Sequence, residues 1–125
     1  MKPRTPDLPD SGERSEFDTG AVRDAMSGKG LPSLLPVDAL RAAARRFEDG
    51  AYKYGRDNWR KGIPLSRYVD SIYRHLWAFV DNDYSEDHLS AVIWNSMCLY
   101  QTKEWINEDK LPASLNYIPD TNDHI

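Results

Sequence analysis

From Ser66 to Leu111 the chain has neither proline nor glycine, and apolar residues are dispersed through it. Such a breaker-free run predicts helix. Three helices are expected. The first covers about Val37 to Tyr54, with Pro36 just before its start and Gly55 just after its end, the usual asymmetry of helix termini. Leu40, Ala43, Ala44, Phe47, Ala51 and Tyr54 share one face at ~100° per residue. Gly50 inside it costs about 1 kcal/mol relative to alanine, which points to a close packing contact there. The second runs from Ser66, as N-cap, to Asp81, with Val69, Ile72, Tyr73, Leu76, Phe79 and Val80 as its apolar arc. The third starts at Ser85, as N-cap, with Glu86 and Asp87 in the first turn where the helix dipole favours acids. Its buried face is Leu89, Val92, Ile93, Ser96, Met97, Leu99 and Tyr100, and it continues to about Glu108. No stretch alternates as a half-buried strand would.

Pro3, Pro6 and Pro9 make residues 1–16 an extended or disordered segment. Residues 17–110 then form the helical domain and 111–125 a tail. A shorter helix fits between Thr19 and Ser27, ended by Gly28. Three amphipathic helices with short connections imply an all-α helical bundle. Three faces close a core poorly, so a second copy is expected to complete it, as a homodimer or larger even oligomer.

The length of 125 residues suits one domain. No apolar stretch approaches the ~18 residues of a membrane span. The N-terminal Met-Lys-Pro-Arg-Thr-Pro-Asp lacks the apolar core of an export signal, and a cytoplasmic location is expected. Cys98 is the single cysteine, which excludes an internal disulfide and a cysteine-cluster zinc site. The net charge of −4 is unevenly spread. Residues 38–74 carry nine basic and five acidic side chains, whereas residues 75–125 carry two basic and nine acidic. Proteins that grip duplex DNA usually show an overall basic excess, so no duplex nucleic acid is expected as partner. A basic middle beside an acidic end suits a small polyphosphate with its metal ions, and equally a solvated surface of mixed sign.

Several polar residues border the apolar arcs. Glu48 lies about 80° from Leu40 around the first helix. Asp70 edges the arc of the second, and His75 borders its other side. His88 and Asn95, seven apart, share a stripe of the third. Carboxylates at such borders on neighbouring helices can converge on a metal ion, and oxygen ligands suit Mg²⁺ or Mn²⁺. The connector from Lys53 to Pro64 packs four basic groups, Asn58 and Trp59 between glycines. Its basic groups can hold phosphate oxygens, and Trp59 offers a face for a base. It reads equally as a surface loop anchored by one tryptophan. Gly28-Lys29-Gly30 is a second, weaker candidate anion loop.

Together, certain segments resemble a known family. They are Phe17-Asp-Thr-Gly-Ala-Val-Arg-Asp24, Gly28-Lys-Gly30, Leu34-Leu-Pro36, Phe47-Glu-Asp-Gly-Ala-Tyr-Lys-Tyr-Gly55, Asn58-Trp59, Lys61-Gly-Ile-Pro-Leu-Ser-Arg-Tyr68, Asp70-Ser, Arg74-His-Leu76, Glu86-Asp-His-Leu89 and Trp94-Asn95. Over roughly residues 12–105 the chain resembles the bacteriophage dATP/dGTP diphosphohydrolases, relatives of the MazG-like all-α nucleoside triphosphate pyrophosphohydrolases. The resemblance implies cleavage of a purine dNTP to the monophosphate and pyrophosphate with Mg²⁺ or Mn²⁺, in phage nucleotide metabolism and hence in the host cell cytoplasm. It implies catalytic and metal roles for Glu48, Asp70 and Asp87, with His88 as a further ligand. It implies substrate contacts from Lys29, Lys53, Asn58, Trp59, Arg67, Arg74, His75 and Asn95. The paired acidic motifs of MazG-like enzymes are not present in their usual form, since Arg74 follows Asp70 and Ser90 follows Asp87. The alternative is a non-catalytic phage protein on the same scaffold that binds a nucleotide or a partner.

Overall fold

The computed structural model describes residues 9–118. The expectations for residues 1–8 and for the end of the tail lie outside them. The chain divides after Leu35 into two compact units.

In the first unit, β1 (Arg14–Glu16) and β2 (Val22–Asp24) form an antiparallel hairpin, with Arg14 opposite Asp24 and Glu16 opposite Val22. This corrects one expectation: no helix forms between Thr19 and Ser27. The turn decides the matter. Gly20, at a φ of 86°, donates to the Phe17 carbonyl at 2.8 Å, and the Phe17 N–H donates to Ala21 at 2.9 Å. The Asp24 carboxylate then accepts from Lys29 Nζ at 2.7 Å and from the Ser11 N–H at 3.2 Å. These bonds, that from Lys29 first, hold its pKa well below the usual carboxylate range. Strands of three residues are too short to show alternation.

The second unit contains α1 (Val37–Tyr54), α2 (Leu65–Val80) and α3 (His88–Asn107). Single 3₁₀ turns follow at Trp59–Lys61 and Ala113–Leu115. The chain is thus mainly helical, as expected. α1 has the expected bounds, and its Gly55 cap at a φ of 96° donates to Ala51 at 3.0 Å. α2 begins at Leu65 after Pro64, so Ser66 is not its cap. It ends in a Schellman motif: Asn82 takes a φ of 59°, its N–H donates to Phe79, and the Asp83 N–H donates to Ala78. The reversal continues as the Asp83 side chain accepts from the Ser85 N–H at 2.8 Å. Ser85 is thereby used in the turn. The cap of α3 is Asp87 instead, whose Oδ1 accepts from the Ser90 N–H at 3.1 Å. α3 starts two residues later than expected.

α3 packs on both α1 and α2. Its buried stripe is His88, Ala91, Asn95, Cys98, Thr102 and Ile106. Of the face expected to be buried, Leu89, Ser96, Met97 and Tyr100 are exposed, and Val92, Ile93 and Leu99 are half-buried. α3 is apolar nearly all round, so its pattern does not choose a side. Small side chains at Ala91, Cys98 and Thr102 admit the neighbouring helices closely. α2 likewise turns Leu65, Tyr68, Ile72 and His75 inward, while Tyr73, Leu76, Phe79 and Val80 of its expected arc stay exposed. Gly62, at a φ of 109°, seats the last 3₁₀ turn: a Cβ there would stand 2.7 Å from Leu115 Cδ1. Among the described residues no helix is long and apolar enough to cross a membrane.

Candidate functional site

Arg46 organises the junction between α1 and the start of α3. Its Nε donates to Ser90 Oγ at 3.0 Å and its Nη2 to the Asp87 carbonyl at 3.0 Å, with Glu86 Oε1 at 3.4 Å. Beside this strut lies a cleft of about 490 Å³. Glu48 and Asp49 line it from α1, Glu86 and Asp87 from the turn before α3, and Arg45 and Arg46 complete its charged rim. Two sequence-predicted acids, Glu48 and Asp87, meet there. Asp49 and Glu86 were missed. Asp49 sits one residue, about 100°, from Glu48 on the helix, and both line the cleft because it is wide.

Next along α1 is a cleft of about 280 Å³ that Lys53 lines with Arg46, Asp49, Gly50, Tyr54 and Trp94. It shares Gly50, Tyr54 and Trp94 with an aromatic cavity of about 210 Å³. Phe47, Asn58 and Trp59 complete the aromatic walls and their polar edge. The Phe47 ring lies 5.7 Å from Trp59 and 5.8 Å from Trp94, centre to centre. Nothing lies within 4 Å of a Cβ built on Gly50. The expectation of a close contact there is corrected: the missing side chain leaves the cavity open. Trp59 stacks on Trp105 at 5.5 Å and 18°, so one of its faces is already covered.

A second cluster stands on the other side of Glu86. His75 Nδ1 and His88 Nδ1 lie 2.9 Å apart, and Glu86 Oε1 lies 3.2 Å from the first and 3.6 Å from the second. α2 supplies His75 from its inward stripe and the α3 cap places His88 at the first helical position. Burial, opposed by Glu86 and aided by Arg46, lowers the His75 pKa and favours its neutral form.

The family model of dATP/dGTP diphosphohydrolase, N-terminal, matches residues 19–110. The chain belongs to this family. No curated protein and no solved structure matches it.

For this dATP/dGTP diphosphohydrolase family member, the remaining expected residues are more scattered. Asp70, Arg67 and Arg74 are exposed on α2 and line none of the clefts above. Asp70 lies two residues, about 200°, from inward-facing Tyr68, and Glu48 and Asp70 are not brought to one cleft. Asn95 is buried and its Nδ2 donates to the Ala91 carbonyl at 2.8 Å, within its own helix. Lys29 belongs to the hairpin unit, where its ammonium pairs with Asp24. His75 lies with His88 rather than on the Lys53 cleft. Asn58, Trp59 and Lys53 do line the clefts along α1.

Proposed function

We propose that this chain is a divalent-metal-dependent pyrophosphohydrolase of purine dNTPs. One observation carries the reading: within the family's matched stretch, α1 borders an aromatic cavity, a basic cleft and a carboxylate cleft that share walls. The base enters among Phe47, Trp59 and Trp94, with Asn58 available to its edge. Lys53 and Arg46 neutralise the phosphates. The donors of the carboxylate cleft fit Mg²⁺ or Mn²⁺, being oxygens on exposed side chains that leave room for hydration. Glu48, Asp49 and Asp87 would hold the ion, the last through Oδ2 because Oδ1 caps α3. Bound there, it supplies charge neutralisation and a more acidic water. Glu48 takes the proton from the water that attacks the α-phosphorus. The bond from that phosphorus to the α,β-bridging oxygen breaks, and pyrophosphate leaves. The chemistry belongs in the cytoplasm, of the host cell for a phage-encoded chain.

The partner is read as a second copy of the chain. Tyr73, Leu76, Trp77 and Val80 form an exposed apolar stripe on α2, and Leu89, Met97 and Tyr100 one on α3. Soluble monomers seldom leave such patches uncovered.

Pyrophosphate release from each dNTP with Mg²⁺ or Mn²⁺ tests the activity. Glu48→Gln is expected to lower the rate at least ~100-fold, in the range of lost general-base catalysis, with unchanged circular dichroism. Lys53→Ala is expected to weaken dATP and dGTP binding about ten- to hundredfold, measured with Ca²⁺ in place of Mg²⁺. Tight nucleotide binding with no pyrophosphate released would instead identify a non-catalytic binder.

A further inference from the structure

We infer that His75, Glu86 and His88 form a binding site for a borderline transition-metal ion of the Zn²⁺ type, separate from the oxygen-lined cleft. An ion bonded at ~2.1 Å in a tetrahedral shell holds its donors ~3.4 Å apart. The three donor atoms here are separated by 2.9, 3.2 and 3.6 Å. They already describe a triangle of the size of one coordination face. Two imidazoles and one carboxylate are a ligand set that suits Zn²⁺ or Fe²⁺ and leaves positions open, whereas Mg²⁺ takes oxygen ligands.

The surroundings point the same way. His88 is 8% exposed, and its other ring nitrogen, Nε2, is buried without a hydrogen bond of good geometry. That nitrogen nevertheless faces Asp83 Oδ2 at 3.3 Å. A carboxylate behind the distal nitrogen is the arrangement that fixes the tautomer of a ligating histidine and frees the nearer nitrogen for the metal. The Schellman turn of α2 places Asp83 there, and the same turn leads to Glu86. Arg46 Nη2, 3.4 Å from Glu86 Oε1, orients the carboxylate as ligating carboxylates usually are oriented. Without an ion, the close pair of Nδ1 atoms is a hydrogen bond from one imidazole to the other. Glu86 also lines the carboxylate cleft, so an ion on the histidines stands at the edge of the place read above as the phosphate site. Its binding does not depend on that reading, because it is measured without nucleotide.

The test is a titration of chelator-treated protein with Co²⁺, followed by visible absorption and calorimetry. One Co²⁺ per chain is expected, with the ligand-field bands of a nitrogen–oxygen site of low coordination number. Zn²⁺ should displace it and excess Mg²⁺ should not. His75→Ala and His88→Ala should each weaken Co²⁺ binding more than ~100-fold, and Asp83→Asn about ten- to hundredfold, the usual loss for an outer partner. Asp70→Asn should bind as wild type does. Glu86→Gln, which alters a half-exposed side chain and keeps its shape, carries the test if a histidine variant unfolds. Wild-type protein that binds Co²⁺ no more tightly than Glu86→Gln, or that gives it up to Mg²⁺, overturns the site.

Discussion

Cys98 is fully buried on the inner stripe of α3, beside Tyr68 and Thr102. Burial pushes its thiol up to about 12. The thiolate is the reactive form, so Cys98 should be inert to a disulfide reagent at pH 8 in the native chain and react fully in denaturant. Reaction of the native protein at the rate of a free thiol would contradict this packing. The same burial raises the Tyr68 hydroxyl. The hydroxyls of Tyr68 and Thr102 both lack a hydrogen bond of good geometry, so this polar patch contributes through packing more than through bonding.

At the scale of elements, one charged side chain bridges α1 and the start of α3. Arg46 reaches Ser90 Oγ and the Asp87 carbonyl from the neighbouring helix. Hydrogen bonds from a charged donor contribute roughly 1.5–3 kcal/mol, so Arg46→Ala should destabilise the chain by about that amount in urea denaturation. Arg46→Lys should recover little, because one ammonium cannot reproduce the spread fork of a guanidinium. A loss within 0.5 kcal/mol, the usual effect of a surface change, would mean that the strut is unimportant. The variant also removes a wall of both the basic and carboxylate clefts.

For the whole molecule, the proposed pairing of two copies rests on the exposed stripes of α2 and α3. Stable interfaces bury about 1,200–2,000 Å² in total, and large side chains such as Trp77 and Tyr100, 63% and 73% exposed, are suited to supply it. Sedimentation at micromolar concentration should show a dimer or larger even assembly. Trp77→Glu should shift it to monomer while helical circular dichroism persists. A wild-type chain that sediments as a monomer ends the proposal.

The three main helices were legible in the chain, and Pro36 and Gly55 marked both ends of α1, because these signals act through local backbone geometry. The sequence also singled out Glu48, Asp87, Lys53, Asn58 and Trp59, which line clefts along α1 or at its junction with α3. Tertiary structure alone decided which side of α3 is core, since a helix apolar nearly all round carries no usable phase. It decided that Asp87 rather than Ser85 caps α3, since the Asp83 side chain draws the Ser85 N–H into the turn after α2. It also set Asp70 apart and joined His75 to Glu86 and His88. Periodicity places a residue around its own helix, but which residues of two helices meet depends on how those helices cross.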